Sequence, residues 1–227
     1  MATDNFARFM ALQALDNSNS DSGSSDTLNN AGKIVTGKVY TVDGTQYTAK
    51  TGAEIFNDYE NNKAIGEYSH AGGYMTAAEN NYAYAYGCKA HATGLYSYSI
   101  GCLTVASGMN SYALGNNTLA SGNYSHAQGE LTKAIGRTSY SEGCGTSAKG
   151  NYSHVMGKFN VEDNENKFAF IIGNGTSSSK RSNALAIGWD GYIYVGNSKS
   201  PVNVLGLMNR LSALEAKVSE LEGGANV

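Results

Sequence analysis

Glycine recurs at every seventh position through the middle of this 227-residue chain. Stepping by seven from Gly66 to Gly157 meets glycine at thirteen of fourteen positions, and the exception is Asn80. Glycine accepts a left-handed backbone most readily and asparagine comes next, so the column predicts a turn with a positive φ or a close backbone approach. The predicted turn residues are Gly66, Gly73, Gly87, Gly94, Gly101, Gly108, Gly115, Gly122, Gly129, Gly136, Gly143, Gly150 and Gly157.

Two more columns consist of small side chains. The residue two positions before each glycine is alanine or serine except at Val155, and the residue four positions before it is mostly serine or threonine. Columns two residues apart share one face of a strand, so both predict a narrow interior lined by small groups. A helix is disfavoured, because each repeated glycine would destabilise it by about 1 kcal/mol. Each unit therefore predicts one short strand and a turn, with two units forming a coil of 14 residues.

The outward positions repeat with twice the glycine period. Three residues before alternate glycines the side chain is always aromatic, and a second aromatic column two residues earlier is interrupted only at Asn110 and Thr138. Coils that pair as parallel strands about 4.8 Å apart would stack these rings into ladders. We predict that the ladders form a subunit interface or a surface for sugar or protein. Their members are Tyr68, His70, Tyr82, Tyr84, Tyr96, Tyr98, Tyr112, Tyr124, His126, Tyr140, Tyr152 and His154.

The pattern A-x-G-x-Y-S-x-A-x-G, over roughly residues 62–160, resembles the head repeats of trimeric autotransporter adhesins. It is still more similar to the YSHAxG repeats of bacteriophage and prophage tail-fibre proteins. The resemblance implies an all-β fold, a left-handed parallel β-roll in which three chains pack as a homotrimer. Residues 157–197 are similar to the segment that closes such arrays in phage structural proteins, and the C-terminal stretch resembles the neck and stalk behind an adhesin head.

That C-terminal stretch carries apolar residues at alternating spacings of three and four, an a/d seam of about two and a half heptads. So short a helix is marginal alone, which indicates association with further copies of the chain. A trimer is the number that the resemblance implies. The coiled-coil residues are Val204, Leu207, Leu211, Leu214, Val218 and Leu221.

Six segments are predicted along the chain. Segment boundaries follow from composition, turn signals and the repeat. Residues 33–61 are expected to form a hairpin turning at Asp43–Gly44 and a short helix capped at Thr51. The others are an N-terminal helical attachment segment at 1–17, a polar linker at 18–32, the β-roll at 62–160, a closing β and neck segment at 161–199, and the coiled-coil stalk at 200–224.

Few residues suggest chemistry. Cys88, Cys102 and Cys144 each follow a glycine in one register, so Cys88 and Cys102 are expected on adjacent coils, as a thiol pair, as a disulfide or, the favoured interpretation, as fillers of small slots.

The carboxylates Glu162, Asp163 and Glu165 would suit a glycosidase, but their polar surroundings favour a solvated loop. His70 and His126 are too far apart in one chain to share a metal, although three copies of one histidine could meet on a trimer axis. The chain has no Cys/His ligand spacing, and we expect no metal and no cofactor.

The net charge of −3 gives no basic footprint for nucleic acid or an anionic membrane. No apolar run approaches the roughly 18 residues of a membrane span, and none resembles a secretory signal.

We therefore predict a non-enzymatic trimeric fibre protein of a phage or prophage particle, made in the bacterial cytoplasm and working in the virion or at an extracellular surface. Its expected partners are its own copies, other virion proteins and a host cell-surface glycan or protein. The alternatives are a bacterial cell-surface adhesin head, which the lack of a secretion signal and a membrane anchor disfavours, and a carbohydrate-active tail fibre.

Overall fold

The computed structural model of the protein describes residues 32–42, 45–56, 62–196 and 202–224. The predicted attachment segment at 1–17, residues 18–31 of the predicted linker and the Asp43–Gly44 turn lie outside this set. Within it the chain is mostly β, a solenoid of about eight coils with parallel strands, followed by one helix.

Four strands precede the glycine repeats: β1 (Lys33–Ile34), β2 (Val39–Val42), β3 (Thr45–Thr48) and β4 (Glu54–Phe56). β2 and β3 pair antiparallel with Val42 opposite Thr45, as expected of a hairpin that turns between them. β4 pairs antiparallel with β1 and becomes the first rung of the solenoid.

The helix predicted from Thr51 is wrong over residues 51–56, where the chain makes a turn and then β4. Gly52 has a φ of +71°, which no right-handed helix accepts. Ala53 and Ile55 are fully buried on alternate positions, which is the spacing of a strand. The rest of that predicted helix, residues 57–61, lies outside the described residues.

The repeats alternate between strands of two and five residues. This alternation gives each coil two unequal sides. In chain order the strands are Lys63–Ala64 (β5), His70–Tyr74 (β6), Ala77–Ala78 (β7), Tyr84–Cys88 (β8), His91–Ala92 (β9), Tyr98–Cys102 (β10), Val105–Ala106 (β11), Tyr112–Asn116 (β12), Leu119–Ala120 (β13), His126–Glu130 (β14), Lys133–Ala134 (β15), Tyr140–Cys144 (β16), Ser147–Ala148 (β17) and His154–Lys158 (β18).

The five-residue strands form one sheet and the two-residue strands another, each with neighbours in chain order. All of these pairs are parallel and in register. Tyr98 lies between Tyr84 and Tyr112, and Ala106 lies between Ala92 and Ala120. Equivalent residues of successive coils therefore lie side by side, as the sequence periodicity predicted.

Small residues fill the space between the two sheets. The column two residues before each glycine is buried from Ala64 to Val155, and the serines and threonines two residues earlier are buried with it. Several of these serines also close the turn: the hydroxyl of Ser97 donates to the carbonyl of Gly94 at 2.6 Å, and Ser111 does the same to Gly108 at 2.7 Å. The narrow interior of small groups is thus confirmed.

The C-terminal end of the solenoid is closed by a change of strand direction. β19 (Phe168–Asn174) still pairs parallel with β18, but β20 (Asn183–Gly188), β21 (Ile193–Val195) and β22 (Val202–Asn203) follow as antiparallel neighbours. The helix α1 (Val204–Gly224) comes next. Asn203 caps it, because its side-chain oxygen accepts from the amide of Gly206 at 3.0 Å.

Candidate interaction surface

The glycine column contains two physically different turns. Gly87, Gly101, Gly115, Gly129, Gly143 and Gly157 have φ between +91° and +129°, as does Gly73. The alternate glycines, Gly66, Gly94, Gly108, Gly122, Gly136 and Gly150, lack a positive φ. There the constraint is space: a Cβ added to Gly108 would lie 2.1 Å from the carbonyl oxygen of Gly122 in the next coil. The close approach also holds in the first set, since a Cβ added to Gly87 would lie 2.1 Å from the carbonyl oxygen of Gly101. Close approach therefore applies at both kinds of turn, and a positive φ only at every second one.

An unbroken ladder of rings runs along the outer face of the five-residue strands. Neighbouring centroids are 4.6–6.2 Å apart, and the closest to parallel are Tyr98 and Tyr112, at 5.0 Å and 2°. Phe56 and Phe170, which the sequence interpretation did not include, extend the ladder at its two ends. In order, the strand ladder comprises Phe56, His70, Tyr84, Tyr98, Tyr112, His126, Tyr140, His154 and Phe170.

A second, shorter ladder occupies the turn before those strands. Tyr68, Tyr82 and Tyr96 stack at 5.6 and 4.9 Å, while Tyr124 and Tyr152 hold the equivalent place in later coils. Each of these tyrosines has a φ between +49° and +61°, a conformation that costs an ordinary residue about 1–2 kcal/mol. Ring stacking, worth about 0.5–1.5 kcal/mol per pair, offsets part of that cost.

The positive φ at this turn was not anticipated from the sequence. Asn110, which interrupts the tyrosine column, has a φ of +52°. After glycine, asparagine is the residue that best tolerates this region, so its presence in the column was the signal of a positive φ. Thr138, the other interruption, has the same conformation.

Much of the strand ladder is open to solvent in one chain. Tyr98 is 37% exposed and Tyr112 is 40% exposed. Tyr86 and Ile100, two residues further along their strands, add to the same face. Burial, with contributions from Tyr86 and Tyr98, raises the pKa of the Tyr84 phenol, so this hydroxyl is a hydrogen-bonding group near pH 7.

The histidines of the ladder have different environments. His70 Nδ1 lies 3.0 Å from the buried carboxylate of Glu54, and His154 Nε2 lies 3.7 Å from Glu142. Burial lowers the pKa of His126, which stacks between Tyr112 and Tyr140, although Gln128 and Glu142 act in the opposite direction. Among the described residues, no group of three metal-binding side chains comes together.

The predicted carboxylate cluster is engaged in structural contacts. Asp163 accepts hydrogen bonds from the backbone amides of Glu165, Lys167 and Phe168 at 2.8–3.3 Å. Glu162 pairs with Lys149 at 2.6 Å, and this hydrogen bond lowers the pKa of the Glu162 carboxyl. Both carboxylates line a cavity of about 400 Å³ with Glu165 and the rings of Phe168 and Tyr194. Asp163 is buried and both of its oxygens accept backbone amides, so this carboxylate differs from the solvated loop expected from its polar surroundings, whereas Glu165 is exposed.

The cysteines lie at the ends of five-residue strands. Cys88 and Cys102 are register partners on adjacent strands β8 and β10. Cys144 lies opposite Glu130 and Lys158 instead, with its sulfur 3.9 Å from a carboxylate oxygen of Glu130. All three are free thiols and half-buried.

The heptad residues of α1 face solvent. Leu207, Leu211, Leu214 and Val218 are 48–59% exposed and Leu221 is 75% exposed, whereas Val204 is half-buried. An exposed row of apolar side chains along one helix favours contact with a partner surface.

Two buried asparagines end the interior column and were missed by the sequence interpretation. Asn62 and Asn160 are both fully buried. The side-chain oxygen of Asn62 accepts from the amide and the hydroxyl of Thr76, each at 2.9 Å. The signal was the column itself, because Asn62 lies four residues before Gly66 and Asn160 lies four residues before the next step of seven after Gly157, and every coil between them has alanine, serine or threonine there.

No protein-family model matches this chain, and no curated protein matches it either. No helix in the described part of the chain combines the length and apolar character needed to cross a bilayer.

Proposed function

We propose that this chain is a non-enzymatic fibre protein of a phage or prophage particle, a rigid homotrimeric spacer that contacts host surfaces. The exposed a/d seam of α1 carries the proposal. Five apolar side chains about half exposed or more on a 21-residue helix are stable in water when other copies cover them. In this proposal the coils are left-handed, contain 14 residues each and stand parallel in three chains.

The solenoid supports a spacer function. Every backbone rung is hydrogen-bonded to the rung before and after it, and the interior has almost no large side chains that could rearrange. Antiparallel pairs end the parallel stack of five-residue strands on both sides: β1 pairs with β4 at one end, and β20–β22 follow β19 at the other. Such a body transmits force and holds distance without a deformable core.

The aromatic ladders support a contact function. Stacked tyrosines present flat apolar faces and phenolic hydroxyls together, which suits sugar rings or the side chains of a protein receptor. Host cell-surface glycans or proteins, and other virion proteins at the attachment end, are the partners that we propose. We propose that the protein is made in the bacterial cytoplasm and acts in the virion or at an extracellular surface.

The oligomeric state is tested by light scattering on the purified protein. We expect a mass about three times the 23.9 kDa of one chain. Leu211→Glu, which places a charge on the seam, should lower that mass, whereas Ser212→Glu on the neighbouring helix surface should not. A parent protein with the mass of one chain would contradict the proposal.

Host contact is tested separately with a glycan array and with whole bacterial cells. The parent is compared with Tyr98→Ser and Tyr112→Ser, which remove two adjacent rings from the outer face while leaving the interior columns intact. We expect binding that these substitutions weaken at least about tenfold, since each lost ring removes roughly 1–2 kcal/mol of contact. If binding is unchanged in both variants, the strand ladder is not the receptor contact.

A further inference from the structure

Two thiols are brought side by side by the register of the solenoid. Cys88 ends β8 and Cys102 ends β10, and the two are Cα partners across the parallel pair. Residues in register on neighbouring strands point to the same face of the sheet, so both side chains project outward together. Both thiols are half-buried, which leaves part of each sulfur within reach of a small reagent.

The spacing matches the requirement of a disulfide bond. Neighbouring strands lie about 4.7–4.9 Å apart. The Cα atoms of a disulfide are usually about 4.4–6.8 Å apart, so the pair falls in the permitted range. The residues that follow, Lys89 and Leu103, leave the strands through left-handed turns with φ of +53° and +56°.

Cys144 provides an internal comparison within the same column. Its register partners are Glu130 and Lys158, and the strands bearing Asn116 and Glu130 separate it from Cys102. Three strand steps place Cys144 about 14 Å from Cys102, which no disulfide spans. One face of one sheet thus carries a matched pair of thiols and one isolated thiol.

We propose that Cys88 and Cys102 form an oxidation site at which a small-molecule disulfide links two adjacent coils of the same chain. One protein thiolate attacks a sulfur of the reagent, forms a mixed disulfide and expels one reagent thiolate. The second protein thiolate then attacks the protein sulfur of the mixed disulfide, forms the Cys88–Cys102 bond and expels the second reagent thiolate. Two protein thiols are oxidised and one reagent disulfide is reduced, and the two protons lost by the protein thiols are taken up, through water, by the two expelled reagent thiolates to give two thiols.

The charge environment sets the conditions for this exchange. Burial raises the pKa of the Cys102 thiol and the adjacent Cys88 raises it further, while the charge of Lys89 opposes the shift. Because the thiolate is the reacting species, the exchange should accelerate as pH rises from 7 to 9. The product would join neighbouring rungs and constrain the unfolded chain, which stabilises the folded state.

Oxidised glutathione is the probe, added to the folded full-length protein at pH 8. In Cys144→Ser, where the isolated thiol cannot form its own glutathione adduct, we expect free thiols to fall from two to zero, the intact mass to decrease by two hydrogen atoms, and a digest to yield one peptide pair joined through Cys88 and Cys102. The melting temperature should rise and return to its starting value after reduction. Cys144→Ser should preserve the cross-link.

Three other results would overturn the proposal. They are stable glutathione adducts on Cys88 or Cys102, a disulfide between two copies of the chain, and three unreacted thiols in the folded protein under conditions where the unfolded protein reacts. Cys88→Ser serves as a second variant, since it should leave Cys102 open to a single glutathione adduct and abolish the rise in melting temperature.

Discussion

The side-chain amide of Asn160 takes the place of a missing strand beside Ser147. Its oxygen accepts from the Ser147 amide at 2.8 Å, and its nitrogen donates to the Ser147 carbonyl at 3.1 Å and to the carbonyl of Val161 at 2.9 Å. β17 is the last strand of the sheet formed by the short repeat strands, so these backbone groups would otherwise be buried without a partner. Asn62 serves the first strands of the solenoid in the same way, through Thr76 and the carbonyl of Gly73.

Asn160→Ala is expected to lower the free energy of unfolding by at least about 2 kcal/mol, because each buried group left unsatisfied costs roughly 1–3 kcal/mol. Urea denaturation measures the change. Asn164→Ala is the control, since the Asn164 side chain lies at the surface and meets only Lys149. Equal stability of the two variants would contradict the capping role of Asn160.

Ala113→Leu is expected to destabilise the protein by about 1–3 kcal/mol or to prevent assembly, because overpacking a filled interior strains its neighbours. Ala113 is fully buried between Ser99 and Ala127 of the adjacent coils. Gln128→Leu introduces the same side chain on the exposed face and should leave the thermal melting temperature within a few degrees of the parent. If Ala113→Leu melts like the parent, the inward assignment of the alanine column is wrong.

Gly108→Ala is expected to disrupt the coil stack, because the added Cβ would lie 2.1 Å from the carbonyl oxygen of Gly122 and neither backbone can move without breaking register. Gly191→Ala is the control, because it tests the cost of a positive φ without a close approach of another backbone segment. Gly191 has a φ of +81° with nothing within 4 Å of the added atom, so its substitution should cost only about 1–2 kcal/mol. Circular dichroism melting curves of both variants test the difference, and a milder effect at Gly108 would contradict the close-approach explanation.

The lowered pKa of His126 predicts a stability that falls in mild acid. In the unfolded chain His126 titrates near 6.5, so between that pH and its lower folded pKa the unfolded state binds more protons and stability decreases as pH falls. His126→Tyr, which matches the rings on either side, should remove this part of the loss between pH 7.5 and pH 5. The urea midpoints of the parent and of His126→Tyr are compared at the two pH values. Identical pH dependence in the two proteins would show that His126 does not cause the loss of stability.

Repetition made the solenoid predictable. A small residue at one position does not show whether that position is buried. The same size of residue at the equivalent position of every coil indicates one shared environment, and the column is indeed buried from Ala64 to Val155. The parallel in-register pairing follows from the same columns, because only that arrangement places like residues side by side.

The features that the sequence did not reveal occur once or break the repeat. Asn62 and Asn160 each act at one end, so no second copy exposes their role. Phe170 was not predicted as a member of the strand ladder, because the interval from His154 to Phe170 is two residues longer than the interval from Tyr140 to His154. The helix expected from Thr51 failed because β4 is three residues long, too short for its alternation to outweigh a capping signal.

The crowding of backbone against backbone at the glycine turns governs how such a chain can evolve. Since Gly94, Gly108 and Gly122 each abut the next coil, a duplication or loss of complete repeats preserves every contact, and the two asparagines still terminate the column. An insertion of another length has to be accommodated in a loop, as the two extra residues between His154 and Phe170 are, because within a strand it would shift the columns out of register. Length is therefore the property that natural variants of this protein can change most freely, in discrete steps and without altering the chemistry of either end.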